Sequence, residues 1–285
     1  MKPFRWNLKK REQLGSLLVG ERSEIYSGYL DEVRVCAAKV VARSDNRKLI
    51  FVGRSPENLF DYLSGIMAET TWDSNLDNLN ISNRFNKVKT IAKTMPDKYR
   101  ALKDHFEEVG ISPVQLIYHK AGICFVDLVC EGFTFDRLFE FYDNWCNEEG
   151  VDKQPVLKKM RFLGITGRQK NSPNTWRWYQ HAEWLESNVH ISAMSISVSL
   201  QMWSHMGDYQ PKMSNCNFLE KWGDDSMLDP PRDKKRLEAL RTAYDIYQVS
   251  LTEKYQFVKE LAKLQEYKEP WLRAISSELR RAVKK

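Results

Sequence analysis

Apolar residues in this chain gather into short runs, and several of the segments between these runs have the spacing of amphipathic helices. The clearest apolar runs cover residues 48–52, 122–126 and 162–166, and a turn followed by a helical pattern comes after the first two. Strands that alternate with helices indicate a mainly parallel sheet with helices packed on its faces. The pattern therefore predicts an α/β fold with a mainly parallel sheet and flanking helices.

The remaining segments are predicted from the same periodicities and from turn-forming residues. Helical spacing returns from residue 234 onwards, where Pro270 is expected to divide the region into two helices. The predicted organisation is an N-terminal helical segment (1–33), an α/β core (34–204) and an irregular, then helical, C-terminal region (205–285). Within the core we predict helices at 57–67, 96–109, 136–148 and 156–161, a short strand at 115–118, a polar surface loop at 70–86, and two segments, 34–42 and 191–200, that suit either a helix or a strand.

An acidic residue stands at the exit of the central strand. Asp127 follows the apolar run, and a short loop with Gly132 and Thr134 leads into the helix predicted to start at Asp136. A loop between a strand and a helix N-terminus directs backbone N–H groups outward, and the helix dipole adds partial positive charge there. This arrangement suits a phosphorylated sugar, and Asp127 would bind either the sugar hydroxyls or a metal-bound water. The alternative is that Asp127 only caps the nearby turn.

A second polar loop follows the strand at 48–52. Gly53, Arg54, Ser55 and Pro56 stand where this strand meets the next predicted helix. Backbone N–H groups, a hydroxyl and a guanidinium can hold one anion between them, so the loop is a candidate phosphate or pyrophosphate site. The alternative is a tight turn with Ser55 as the helix cap and Arg54 exposed to solvent.

The stretch from Asp127 to Thr134 resembles the phosphoribosyl-pyrophosphate motif of type I phosphoribosyltransferases. In that motif an apolar strand leads into two acids, an apolar pair and a small loop with Gly and Thr. Asp127 corresponds to the second acid, and Gly132 and Thr134 correspond to the Gly and Thr of the loop. Val126 stands in place of the first acid, and Cys130 stands where several purine-salvage members have an acidic residue.

The resemblance implies a phosphoribosyltransferase-like core that binds a phosphorylated sugar or nucleotide together with Mg²⁺. It makes Asp127 and Arg54 the candidate catalytic residues, with Asp127 also beside the metal. Pyrophosphate would lie on the loop of Gly53 and Ser55. The ribose 5-phosphate would lie on the second loop, which consists of Cys130, Glu131, Gly132, Phe133 and Thr134. Enzymes of this type transfer the ribosyl 5-phosphate group to an acceptor.

Aromatic and basic residues are concentrated after the predicted strand at 162–166, in the segment 167–184. This strand should end at the same sheet edge as Asp127, so the segment is placed to cover the site. The resemblance implies that such a segment closes around the acceptor, and its candidate residues are Arg168, Lys170, Trp176, Trp178 and Tyr179. Aromatic rings would stack on the acceptor, and the cations would meet a phosphate. The alternative is an extended surface loop held down by its tryptophans.

Composition narrows the class of protein. The chain has 285 residues, of which 42% are hydrophobic and 12% aromatic, as is typical of a folded globular protein. No apolar run approaches the roughly 20 residues that cross a membrane, and the basic N-terminus lacks the apolar stretch of a secretory signal. We therefore expect no membrane association and a cytoplasmic location. The five cysteines are scattered without a CxxC pair, which predicts neither a disulfide framework nor a zinc site.

The net charge of +6 is compatible with an anionic ligand and with weak nucleic-acid binding. An alternative function follows from Val126 and Cys130, because the chain would then be a catalytically inactive fold of this type with a regulatory or RNA-binding role. The basic tail Arg280–Lys285 and the tryptophan-rich segment are the candidate RNA contacts. The helices predicted in 234–285 would either pack on the core or join the subunits of a homo-oligomer.

Overall fold

The computed structural model describes residues 2–82, 88–168, 177–186, 188 and 191–283. These residues form a five-stranded parallel sheet with the strand order β2-β1-β3-β4-β5 and with helices on both faces. The α/β fold predicted from the sequence is confirmed, as is the helical C-terminal region. The strands are Lys48–Val52 (β1), Leu76–Leu79 (β2), Ile123–Leu128 (β3), Met160–Gly167 (β4) and Ser192–Val198 (β5).

The α-helices of the described residues range from single turns to five turns. They are Arg11–Leu14 (α1), Tyr29–Arg43 (α2), Glu57–Ile66 (α3), Val88–Thr94 (α4), Pro96–Val109 (α5), Pro113–Tyr118 (α6), Phe133–Glu149 (α7), Lys153–Lys158 (α8), Glu183–Glu186 (α9), Leu200–Ser204 (α10), Lys234–Thr252 (α11), Lys254–Ala262 (α12) and Pro270–Ala282 (α13). A π-helical turn, His205–Tyr209, follows α10. No helix among the described residues is long and apolar enough to cross a membrane.

Helices bury the sheet on both faces. Because successive side chains of a strand point to opposite sides, each strand contributes residues to two cores. Leu49 and Phe51 of β1 pack into one core with α2, α3 and the C-terminal helices. Ile50 and Val52 of the same strand pack into a second core with α5 and α7. This is why the central strands are nearly continuous apolar runs, which made them easy to recognise in the sequence.

The order of the strands creates a switch point between β1 and β3. The chain passes from β1 to β2 on one side of β1, and β3 then pairs with the other side of β1. Connections that leave in opposite directions open a crevice at the carboxyl ends of the two strands, where open α/β sheets bind ligands. Both loops selected from the sequence lie at this point, since α3 follows β1 and α7 follows β3.

The predicted strand at 115–118 is wrong, because these residues belong to helix α6. The side chain of Ser112 accepts a hydrogen bond from the backbone N–H of Gln115, and the Gln115 side chain accepts one from the N–H of Ser112. This capping box, with Pro113 at the first helical position, satisfies the exposed N–H groups at the start of the helix. A short apolar run has no decisive period of its own, so the cap determines the outcome.

The predicted surface loop at 70–86 contains an edge strand, β2. Its residues Asp77 and Asn78 are polar, as is common in an edge strand, which pairs with a neighbouring strand on one side only. Asn78 donates from its side chain to the carbonyl oxygens of Phe51 and Gly53, which fixes the end of β2 against β1. The strand therefore could not be recognised from the asparagine-rich composition of this segment.

Several predicted boundaries shift. The helix predicted from Asp136 begins three residues earlier, at Phe133, and the helix predicted at 156–161 is α8, which ends at Lys158 because β4 starts at Met160. The C-terminal region has a further break at Glu253, in addition to the one before Pro270. The ambiguous segments are resolved, since 34–42 lies in α2 and most of 191–200 is β5.

Candidate anion-binding site at the carboxyl ends of the strands

The two loops selected from the sequence meet at a cavity of about 250 Å³ at the carboxyl ends of β1 and β3. Residues from both loops line it, together with residues from the segment after β2 and from a distant segment near residue 212. The lining residues are Val52, Gly53, Arg54, Ser55, Ile81, Ser82, Asp127, Thr134, Gly207, Lys212, Cys216 and Asn217. The sheet therefore brings together two segments that lie about seventy residues apart in the sequence.

The first loop presents free polar groups to this cavity. Gly53 has a φ of 71°, and its N–H donates to the carbonyl oxygen of Leu79, which turns the chain sharply away from β1. In the described part of the chain no group accepts a hydrogen bond from the N–H of Arg54 or Ser55. The alternative interpretation made Ser55 the cap of the next helix, but α3 begins after Pro56 without a side-chain cap. Its hydroxyl thus stays available to a ligand.

Arg54 contributes an unpaired positive charge. Arg54 lines the cavity, is half-buried, and forms no ion pair with any carboxylate of the described residues. An arginine side chain has five N–H donors in a planar fork that suits phosphate oxygens. The prediction that Arg54 acts at a ligand site is therefore compatible with its position.

Asp127 lies at the end of β3 with its carboxylate buried. One carboxylate oxygen accepts a hydrogen bond from the N–H of Leu128 at 2.7 Å. Burial raises the pKa of Asp127 to about 7, although hydrogen bonds from Thr134 and Leu128 and the charge of Lys212 act in the opposite direction. A buried carboxylate without an ion pair among the described residues is costly to the fold, and such groups concentrate at functional sites.

Lys212 is the main site residue that the sequence analysis missed. Lys212 lines the cavity, and its ammonium group donates a hydrogen bond to the carbonyl oxygen of Met206. Burial lowers the pKa of Lys212 to about 8, an effect that the neighbouring Arg54 strengthens and that Glu57, Asp208 and Asp127 oppose. The group is therefore a cation near neutral pH that loses its charge more readily than an exposed lysine.

The buried side chain of Glu57 holds the backbone next to Lys212. Its carboxylate oxygens accept hydrogen bonds from the N–H groups of Met213 at 3.0 Å and Ser214 at 3.3 Å. Because Glu57 is the first residue of α3, directly after the first loop, it links that loop to the segment of Lys212. The segment around Lys212 was predicted only as irregular, and nothing in its sequence indicates a site. Its role at the cavity becomes visible only through the contact with Glu57 in the folded chain.

The second loop has a run of unused backbone donors. Among the described residues no group accepts a hydrogen bond from the N–H of any residue from Cys130 to Thr134. The run ends in the first turn of the 17-residue helix α7, so the helix dipole favours an anion there. Of these residues only Thr134 lines the cavity. Cys130, Glu131 and Phe133 are exposed to solvent, and Gly132 is buried.

Three of the residues predicted to cover an acceptor lie at different places. Trp178 is fully buried, donates from its indole N–H to the carbonyl oxygen of Met194, and packs beneath Gly132. Tyr179 is half-buried beside Arg177, whose guanidinium donates to its hydroxyl. Arg168 is exposed at the end of β4 and lines a separate cavity next to α2. Lys170 and Trp176 lie outside the described residues.

The donor set fits a magnesium ion only in part. Mg²⁺ is usually held by one or two carboxylates, with waters and substrate phosphates as the other ligands. Asp127 would supply one such carboxylate, and the described residues contain no group of three or more His, Cys, Asp or Glu side chains that could hold a metal. The site therefore suits a magnesium ion that arrives with a phosphorylated ligand.

The electrostatics of the cavity favour an anion. Arg54 and Lys212 supply two cations, Asp127 is the one carboxylate among the cavity's lining residues, and residues of both loops contribute to the lining. Comparison of the chain with protein-family models, with curated proteins and with solved structures finds no match. The function must therefore be argued from the chemistry of this site.

Proposed function

We propose that the chain binds phosphoribosyl pyrophosphate, or a closely related phosphorylated sugar, at the carboxyl ends of β1 and β3 and transfers its phosphoribosyl group to an acceptor. The observation that carries the proposal is the shared cavity, which joins the loop of Arg54 to the loop of Thr134 around the buried carboxylate of Asp127. Two separate runs of backbone donors suit a ligand with two phosphate-bearing ends.

The proposal assigns each end of the ligand to one loop. The pyrophosphate lies against Arg54, Lys212 and the free N–H groups of the first loop. The 5-phosphate lies on the N–H groups from Cys130 to Thr134, at the N-terminus of α7. The ribose hydroxyls between them donate to the carboxylate of Asp127, which can accept two such bonds.

The transfer needs stabilisation of charge more than covalent chemistry. The bond between C1 of the ribose and the pyrophosphate oxygen breaks, and pyrophosphate leaves with the electron pair. The acceptor's nucleophile forms the new bond to C1 and releases its proton to water. Arg54 and Lys212 hold the charge that grows on the departing pyrophosphate, which is where preorganised cations are most effective. When bound with the ligand, Mg²⁺ would neutralise further phosphate charge.

Calorimetric titration of the full chain with phosphoribosyl pyrophosphate and Mg²⁺ tests the binding step. We expect binding that weakens about tenfold or more in Lys212→Met, because a charge-assisted contact to phosphate is lost. Lys221→Met, which removes a lysine outside the cavity lining, is the matched control and should bind like the wild type. Absence of binding at millimolar ligand, by a folded protein, would refute the proposal.

Release of pyrophosphate in the presence of candidate acceptors tests the transfer step. Binding together with acceptor-dependent release supports a transferase. Binding without release by any nucleobase, amide or aromatic acid supports instead the alternative of an inactive, ligand-sensing protein, for which Val126 at the position of the first acid is the relevant difference.

A further inference from the structure

Glu57 is in contact with the backbone on both sides of the anion site. It is the first residue of α3, and its backbone N–H donates to the carbonyl oxygen of Arg54 at 3.3 Å, which closes the turn of the first loop. Its side chain points to another part of the chain, where its two carboxylate oxygens accept from the N–H groups of Met213 and Ser214. One residue therefore joins the backbone of Arg54 to the backbone directly after Lys212.

The carboxylate of Glu57 also affects the charge of Lys212. Glu57 is 2% exposed, and a buried carboxylate is costly unless hydrogen bonds and neighbouring charges compensate it. Burial lowers the pKa of Lys212, and Glu57 acts against this effect, whereas Arg54 adds to it. Asp208 and Asp127 act in the same direction as Glu57, from the π-helical turn and from β3. The negative charge of Glu57 thus helps to offset the repulsion between the two cations of the cavity.

The segment of Lys212 has a second anchor that does not involve the first loop. Gln210, two residues before Lys212, accepts a hydrogen bond from the hydroxyl of Tyr29 at 3.3 Å. Tyr29 is the first residue of α2, so this contact holds the segment to another helix. The two anchors allow the role of Glu57 to be separated from a general loosening of the segment.

We propose that Glu57 is a positioning residue that holds Arg54 and Lys212 at a fixed spacing and thereby makes the cavity select a diphosphate over a single phosphate group. The inference rests on the proposed function for the assignment of the pyrophosphate end to these two cations. Glu57 is not among the residues that line the cavity, so it acts through them. A diphosphate can engage two cations at once only when their spacing suits it, whereas a single phosphate gains less from the second cation.

Calorimetric titration of the full chain with inorganic pyrophosphate and with inorganic phosphate, at pH 7 and constant ionic strength, tests this role. We expect Glu57→Gln to weaken pyrophosphate binding about tenfold or more and phosphate binding less than about threefold. Glutamine keeps the length of the side chain but loses its charge and one of its two accepting oxygens. Glu57→Asp keeps the charge but shortens the side chain, and it should lower the preference for pyrophosphate in the same direction, even if Glu57→Gln does not fold.

A double-mutant cycle separates positioning from an effect on stability alone. In the Lys212→Met background, Glu57→Gln should weaken pyrophosphate binding less than about twofold, because the cation that it positions is already gone. Tyr29→Phe is the matched control, since it removes the anchor at Gln210 and leaves the contacts of Glu57 in place. This variant should keep the preference of the wild type for pyrophosphate.

Equal weakening of both anions by Glu57→Gln overturns the inference, as does an additive effect in the cycle or an equal loss of preference in Tyr29→Phe. A wild type that does not bind pyrophosphate overturns it as well. If pyrophosphate binds with the expected losses and phosphoribosyl pyrophosphate does not bind, the result supports the inference and refutes only the proposed function.

Discussion

Asp127 is the residue at which the demands of the fold and of the site conflict. The folded protein would be more stable with an amide than with a carboxylate at this position, at the end of a buried strand. Burial raises the pKa of Asp127 to about 7, whereas an amide has no charge to desolvate. Proteins retain such residues where function needs them, at the expense of stability. Removal of the charge should therefore stabilise the fold while it weakens the site.

We expect Asp127→Asn to raise the free energy of unfolding at pH 8, by about 1–3 kcal/mol. The folded-state pKa lies above the unfolded value, so the wild type loses stability as the pH rises from about 4 to about 7, and the amide does not. Urea denaturation at pH 5 and pH 8 measures the effect, which should be smaller at the lower pH. Asp97→Asn, at an exposed position, should change little at either pH. A loss of stability at pH 8 would contradict this view of Asp127.

The affinity for phosphoribosyl pyrophosphate should fall as the pH rises from about 7 to about 9. In this range Lys212, with a pKa of about 8, loses its charge, and this change makes the cavity less attractive to an anion. Calorimetric titrations at constant ionic strength measure the trend. Lys212→Arg stays charged throughout and should flatten the upper part of the curve. An affinity that rises with pH would contradict the assignment of Lys212 to the phosphate contact.

At the scale of elements, the loop before α7 depends on a glycine with two separate constraints. Gly132 has a φ of 85°, and a Cβ on it would lie 2.7 Å from Cε3 of Trp178. Helix α7 therefore starts where only glycine can turn the chain over the buried indole. Trp178, predicted as an acceptor cover, thus shapes the Cys130–Thr134 loop from below in this structure.

Gly132→Ala should lower the free energy of unfolding by about 2–4 kcal/mol, because both the backbone conformation and the contact with Trp178 oppose a side chain. Gly150→Ala is a matched control at the other end of α7. Gly150 also has a positive φ, but nothing lies within 4 Å of its added Cβ, so its cost should stay near 1 kcal/mol. Thermal and urea denaturation give both values, and equal losses would show that the contact with Trp178 is unimportant.

The strand–loop–helix units around Arg54 and Asp127 could be predicted because each combines an apolar run, turn-forming residues and a following helical period. Strand β2 could not, since its polar residues carry no alternation and its place is set by pairing with β1. Lys212 could not either. Its position depends on Glu57, which lies more than 150 residues away in the sequence and contacts the neighbouring backbone only in the folded chain.

At the scale of the whole molecule, the N-terminal segment joins distant parts of the fold. Trp6 and Leu8 pack against α11, and Arg5 reaches the buried Asp61 of α3, which has a side chain only 1% exposed. Residues 2–9 thus lie along the open edge of the sheet beside β2. Such a cover protects an edge strand from pairing with other chains.

Arg5→Met should destabilise the protein by about 2–4 kcal/mol at pH 8, because it leaves the buried carboxylate of Asp61 without a partner. The loss should shrink at pH 5, where this carboxyl, with a pKa raised to about 6 by burial, is protonated. Lys2→Met removes a partly exposed ion pair with Asp77, which keeps Lys48 as a second partner, and should cost less than about 1 kcal/mol. Urea denaturation of the three proteins measures this difference, and similar losses in both variants would contradict it.

The location of the anion site is tested most directly by a crystal structure of the protein soaked with phosphoribosyl pyrophosphate and Mg²⁺. The predicted result is electron density for pyrophosphate between Arg54 and Lys212, and for the 5-phosphate on the N–H groups from Cys130 to Thr134. Density for the ligand at another surface, or a cavity without ligand in crystals where the sheet edge is open to solvent, would contradict the site and the function proposed for it.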